Sequence, residues 1–303
     1  MGDTAPIEAE GLARSFGEIV AVDGIDLRVD EGEIFGFLGP NGAGKTTTIR
    51  LLLDLIRPSG GRAEVLGLDT RSHSLEIRGR VGYLSGELAL YENLTGRELL
   101  DYVANLRGLR ERRLAGQLCQ RLDLDPTHHV HDLSRGNKQK LGLVLALMHR
   151  PELLLLDEPT SGLDPLVQQE FHQIVREATD EGRTVFLSSH ILSEVERMAD
   201  RVGIIREGRL VDLLRVSELK THALRRFELE FARPVPAAVF AQLPGVVEVA
   251  VSGGVVRCAV EGSVDPLIKA AAGYELVNLV SHEPDLEEIF LGYYRRGARD
   301  AAA

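Results

Sequence analysis

GPNGAGKTT, Gly39–Thr47, is the stretch that decides the fold. Its spacing is G-x-x-x-x-G-K-[ST], and it lies between the apolar run EIFGFL and the segment TTIRLLLDLI, so it reads as a turn that leaves a buried strand and opens a helix. Glycines 39, 42 and 44 let the backbone wrap closely enough for its N–H groups to face phosphate oxygens, and the helix N-terminus adds positive potential. Lys45 is placed to neutralise the β- and γ-phosphates of a nucleotide, and the Thr46 hydroxyl to ligate Mg²⁺. The candidate cradle is therefore Gly39, Asn41, Gly42, Ala43, Gly44, Lys45, Thr46 and Thr47.

A second stretch, LLLLDEPTSGLD from Leu153 to Asp164, supplies the acids that such a loop needs. Four leucines carry a buried strand to the carboxyl edge of a sheet, where open α/β sheets place ligands, and the strand ends in two adjacent carboxylates. Asp157 is the candidate holder of Mg²⁺ or its waters; Glu158 is the candidate base for an attacking water. Asp164 and Pro165 read as N-cap and first-turn residues of a helix over 165–181 that Gly182 stops. The next apolar run, TVFLSS, is another buried strand, and His190 closes it at the same edge, within reach of a γ-phosphate and its water.

Elsewhere the periodicity changes several times. IEAEGLARSF and IDLRVD read as strands between glycine and aspartate turns, and residues 88–150 read as a helical region whose first helix opens with a Thr95/Glu98 capping box. The helix after Gly44 is expected to run to Pro58 and Gly60. Beyond Leu214 the pattern becomes strand, helix, strand, strand, helix, strand, helix, a ferredoxin-like βαββαβ unit with a terminal helix at DLEEIF. SGG at 252–254 is its hairpin turn. The expected division is residues 5–219, an α/β core with an antiparallel β subdomain and a helical subdomain over about 88–150, and residues 220–303, a small α+β domain.

Composition narrows the partners. The 303 residues carry a net charge of −11 and are 44% hydrophobic, enough for a sizeable core and without the basic stripe that counterion-driven nucleic-acid binding requires. Cys119 and Cys258 form no paired or metal-like spacing, so they read as core residues of a reduced compartment. His128, His129 and His131 have no accompanying acids or cysteines at ligand spacing, which argues against a metal there. No apolar run reaches the roughly 18 residues of a spanning helix, so a membrane role has to come through a partner.

GPNGAGKTT, LSRGNKQK, LLLLDEP, SGLD and the histidine of SSH occur in an order and spacing that resembles the nucleotide-binding subunits of ATP-binding cassette transporters, and more narrowly those of daunorubicin-resistance-type drug exporters. The resemblance covers residues 7–214; the tail EPDLEEIFLGYY resembles the C-terminal extension of such subunits more weakly. It implies a P-loop ATPase that binds ATP and Mg²⁺, pairs head to tail with a second copy, and drives a polytopic membrane permease from the cytoplasmic side of the cell membrane. It also implies that Ser134 and Gly136, in LSRGNKQK, address the γ-phosphate held by the other copy, that Phe16 stacks on adenine, and that the loop of Asp164 couples the two sites. Arg135 is expected at the subunit interface.

Two places depart from the family pattern. Arg135 and Asn137 stand where glycine and glutamine are commoner, and Gly86, followed by Glu87, stands where the family has a glutamine that touches Mg²⁺. Two other classes fit parts of the pattern: a soluble cassette ATPase acting on ribosomes or DNA, and a nucleotide sensor without turnover. The first usually carries two cassettes or a long coiled-coil insertion; the second does not need Glu158 and His190.

Overall fold

Strands form where apolar and polar residues alternate or where apolar residues run unbroken, and a computed structural model, describing residues 5–217 and 225–282, shows which sheet each pattern joins. The alternating segments β1 (Ile7–Phe16) and β2 (Ile19–Val29) pair antiparallel. With β4 (Gly60–Val65) and β5 (Leu68–Asp69) they make a four-stranded sheet in the order β2-β1-β4-β5. Between them lie β3 (Ile34–Leu38) and helix α1 (Lys45–Leu52). The helix is shorter than expected from Pro58: it closes at Leu53, and Asp54 turns into the left-handed region at φ 51°.

Continuous apolar runs build the second sheet, because a strand covered on both faces has no solvent side to pattern. The fully buried β3, β7 (Leu153–Asp157) and β8 (Thr184–Ser189) pair in parallel, flanked by β6 (Val81–Leu84), β9 (Arg201–Arg206) and β10 (Arg209–Arg215) in the order β10-β9-β3-β8-β7-β6. Phe186 fills the centre, stacked on Phe35 with ring centroids 5.6 Å apart and tilted against Phe37 at 5.3 Å. The helices after α1 are α2 (Ser74–Arg80), α3 (Gly96–Leu106), α4 (Arg113–Arg121), α5 (Arg135–Leu147), α6 (Pro165–Asp180) and α7 (Leu192–Met198). Thr95 and Glu98 form the capping box of α3, each bonding the other's backbone N–H. Asp164 caps α6 by accepting from the N–H groups of Leu166 and Val167.

His149, at the end of α5, ties that helix to the main sheet by donating from Nε2 to the Val81 carbonyl at 3.2 Å. Burial, reinforced by the nearby Arg107 charge, lowers its pKa from 6.5 to about 4. Between those values the unfolded chain binds a proton that the folded chain refuses, so this contribution to stability is complete above the unfolded value and is lost as pH falls toward 4. Acidification from pH 7 to 5 should cost about 2 kcal/mol through this group alone. Urea midpoints at the two pH values check it: a His149→Gln chain, which has no proton to gain, should show a smaller drop than the parent.

The chain divides after Leu214 into two compact units. The second contains β11 (Arg225–Phe231), α8 (Ala238–Ala241), β12 (Val246–Ser252), β13 (Val255–Val260), α9 (Asp265–Ala271) and β14 (Leu276–His282). Its all-antiparallel sheet has the order β12-β13-β11-β14, the ferredoxin-like arrangement, with Phe227, Leu229, Phe231, Phe240, Cys258 and Leu267 in its core. Gly253, at φ 63°, turns β12 into β13. Cys119 is buried in the first unit. The expected boundary at Lys220 and the terminal helix at DLEEIF lie outside the described residues. Among the described residues no helix is long and apolar enough to cross a membrane.

Candidate functional site

The parallel register sets the site. Leu38 pairs with Ser189, and Asp157 pairs with Ser188, so β3, β7 and β8 end level with one another and present the glycine loop, the two acids and His190 at one carboxyl edge. The loop bends through Gly42 at φ 81° and Gly44 at φ 109°; at Gly44 a Cβ would also lie 2.5 Å from the Ala21 carbonyl oxygen, so a side chain is excluded both by conformation and by space. Lys45, buried, reaches back to the carbonyls of Gly39 at 2.6 Å and Pro40 at 3.2 Å.

Five side chains then converge. Thr46 Oγ1 donates to Asp157 Oδ2 at 2.7 Å. Lys45 Nζ stands 3.3 Å from Glu158 Oε1, and His190 Nδ1 bonds Glu158 Oε2 at 2.7 Å. The Glu158 carboxylate is thus held between two cationic or proton-donating groups directly beside the loop. Asp157 is 1% exposed, which is tolerable for a carboxylate only because both oxygens are bonded: the second accepts from Ser188 Oγ at 2.5 Å. A hydroxyl and a carboxylate oxygen 2.7 Å apart form a hard-oxygen pair of the kind that Mg²⁺ takes alongside phosphate oxygens, so the residues fit that ion.

Gly86 lies over the same corner. A Cβ there would be 3.0 Å from Asp157 Oδ2, so residue 86 occupies the place beside the acid pair but brings backbone where a glutamine would bring an amide. Glu87 points elsewhere, 93% exposed and 4.0 Å from Arg50.

LSRGNKQK is more occupied within its own chain than its sequence suggests. Ser134 caps α5, its Oγ accepting from the Asn137 N–H at 3.2 Å. Arg135, exposed, donates to Ser161 Oγ at 3.0 Å within the chain. A Cβ on Gly136 would lie 2.6 Å from the Gly162 carbonyl, so glycine is needed there for the helix start to sit on the 158–162 loop. Phe16 is 45% exposed with the Arg14 guanidinium 4.4 Å from its ring centroid, an aromatic face at the surface rather than in the core. Two residues that sequence reasoning did not single out join the site: Ser188, in the SSH run, and Gln139, which donates from Nε2 to the Glu158 and Pro159 carbonyls at 3.1 and 3.0 Å. Both sat inside quoted motifs, but their partners, backbone groups for Gln139 and the Asp157 carboxylate with the Glu158 N–H for Ser188, are ones that no spacing rule names.

This geometry, a glycine loop facing a strand-end acid pair and a histidine in a parallel sheet beside an antiparallel one, defines a nucleotide-triphosphatase cassette. The ABC transporter family model matches residues 22–161. The bacitracin transport ATP-binding protein BcrA of Bacillus licheniformis is 39% identical over 236 residues, 77% of this chain and 77% of that one. The daunorubicin resistance ATP-binding protein DrrA3 of Streptomyces coeruleorubidus is 41% identical over 225 residues, 73% of this chain and 71% of that one. Among solved structures, an ATP binding subunit of an ABC transporter superposes with a TM-score of 0.67 at 30% identity, covering 72% of this chain and 92% of its own. The chain belongs to the ATP-binding proteins of ABC transporters.

Proposed function

We propose that this chain is the ATP-hydrolysing subunit of an exporter: it binds ATP with Mg²⁺, pairs with a second copy of itself, and powers a separately encoded membrane permease from the cytoplasmic face, moving a hydrophobic or drug-like compound. The observation that carries it is the convergence at the glycine loop of Thr46 on Asp157 and of Lys45 and His190 on Glu158, each at hydrogen-bond or ion-pair distance. The names of relatives, for bacitracin transport and daunorubicin resistance, support the class of cargo.

Each side chain has a task that its position allows. Gly39, Asn41, Gly42, Ala43, Gly44 and Thr47 present or frame the loop's N–H groups, and Lys45 gives up its contact with Glu158 to meet phosphate oxygens. Thr46 and Asp157 would hold Mg²⁺, which would supply positive charge against the phosphate oxygens. Glu158 accepts the proton of the attacking water, and His190, already bonded to that carboxylate, orients it and reaches the γ-phosphate. Phe16 stacks on the adenine. Ser134 and Gly136 serve the nucleotide of the opposite copy, and Asp164, at the start of α6, lies in the loop that links the two sites.

The direct test is isolation from membranes. Co-purification with a polytopic membrane protein, and ATP hydrolysis stimulated by its cargo, is the expected result; recovery on ribosomes or DNA overturns the transport reading.

The C-terminal unit, from about Lys220, strengthens pairing or regulates the transporter and takes no part in the chemistry, because every phosphate-directed residue precedes it. Truncation after Leu214 should leave nucleotide affinity measurable by titration with a fluorescent ATP analogue. A folded truncation with no affinity refutes that assignment.

A further inference from the structure

Glu158 is not only a carboxylate in the right place; its backbone is in an unusual one. Its φ is 50°, in the left-handed region that residues with a Cβ avoid unless their surroundings over-determine it. Both of its peptide groups are clamped from neighbouring elements. On the amide side, Ser188 Oγ, from the end of β8, accepts from the Glu158 N–H at 3.1 Å while donating to Asp157 Oδ1. On the carbonyl side, Gln139 Nε2, from α5, donates to the carbonyls of Glu158 and Pro159, and the Glu158 carbonyl also accepts from the Ser161 N–H at 3.2 Å. Ser188 is fully buried and Gln139 is 5% exposed, so neither is a solvent-facing polar residue that happens to be near.

We infer that Gln139 and Ser188 are positioning residues for Glu158: together they hold its backbone in the left-handed conformation that aims the carboxylate between Lys45 and His190. This rests on the proposed role of Glu158 as the base. Neither side chain reaches the carboxylate itself, so both act through the main chain. The direction of the side chain depends on φ and ψ at its own Cα; a relaxation of Glu158 toward an ordinary conformation swings Cβ and carries the carboxylate away from the water it must meet. The amide of Gln139 suits the task because one NH₂ group supplies two donors, one for each of two successive carbonyls. The start of α5 is seated on the same loop, through Arg135 on Ser161 and Gly136 against Gly162, so the Gln139 amide reaches its two carbonyls from a fixed helix.

The test uses the full chain and separates positioning from folding and from nucleotide binding. Gln139→Leu keeps the bulk and removes both donors. Its kcat for ATP should fall by about 100-fold, the cost of misplacing a reacting group by about an ångström. Because Gln139 touches neither the glycine loop nor Asp157, KM for ATP and the dissociation constant for ADP should stay at their parent values, and the melting-temperature rise on adding ADP should be retained. Gln139→Met, which likewise keeps the bulk and removes both donors, gives the same readout if the leucine variant does not fold, again with a kcat loss of about 100-fold. Unchanged kcat in either folded variant overturns the inference, and so does a parallel loss of kcat, ADP affinity and thermal stability, which marks a general structural role. Glu158→Gln measured alongside keeps the two ideas apart: if it turns over normally, the role of Glu158 itself fails; if it is inactive while Gln139→Leu is not, only the positioning fails.

Discussion

A Glu158→Gln chain is expected to lose nearly all turnover, by about 10²- to 10⁴-fold, while still binding ATP. Glutamine keeps the shape of the side chain and one oxygen that can accept from His190 Nδ1, now 2.7 Å from the carboxylate. It cannot take a proton from water. It also removes a negative charge 3.3 Å from Lys45 Nζ, the group that phosphate must recruit, so no carboxylate competes with the nucleotide for the ammonium. ATP should therefore remain bound and unhydrolysed, and paired chains should accumulate in gel filtration with ATP. Phosphate release at the parent rate removes Glu158 as the base. Lys45→Ala behaves differently: it leaves the carbonyls of Gly39 and Pro40 without their donor and the phosphates without a counter-charge, so it weakens binding itself.

What the sequence reveals and what it hides differ in kind. The glycine loop, β1, β3, β7, β8, the Thr95/Glu98 box and the Asp164 cap are legible because each is specified by residues adjacent in the chain: a run of leucines, a capping pair, a spacing of glycines. The strand β6 is not, since VGYL is four residues long and its strand character comes from pairing with Leu153–Leu156. The helical region over 88–150 is several separate helices, with the single 3₁₀ turn Val130–Asp132 leading into Ser134. α1 stops before its proline because Asp54 can adopt a left-handed turn.

At the site the same division holds. Lys45, Thr46, Asp157, Glu158 and His190 announce themselves by chemistry; that they meet follows from parallel strands ending level. Arg135 is exposed and also bonds Ser161 Oγ at 3.0 Å within its own chain, a contact that no spacing rule names. Gln139 and Ser188 were silent because their partners lie 19 to 31 residues away in sequence: main-chain carbonyls for Gln139, and the Asp157 carboxylate with the Glu158 N–H for Ser188.

Mixing two inactive chains should restore activity, and the reason is geometric. In the proposed head-to-tail pair each composite site would take Lys45 from one copy and Ser134 from the other, so a Lys45→Ala homodimer and a Ser134→Arg homodimer would each have two damaged sites. In the heterodimer one site collects both lesions, while the other joins an intact Lys45 to an intact Ser134. One whole site returns, and with it a share of ATPase activity; if both sites must fire together, ATP-driven pairing still recovers. The structure sharpens the choice of variant. Ser134 Oγ accepts from the Asn137 N–H, so Ser134→Ala mixes loss of a helix cap, about 1 kcal/mol, with loss of any phosphate contact. Ser134→Asp is the cleaner partner: it retains the N-cap acceptor yet places a negative charge where the γ-phosphate of the opposite copy would lie. It should fold as the parent does, refuse to pair in ATP, and regain pairing with Lys45→Ala chains less well than an uncharged variant. If Ser134→Asp pairs and hydrolyses ATP like the parent, LSRGNKQK does not face a phosphate at all, and the first turn of α5 is only the seat of the 158–162 loop.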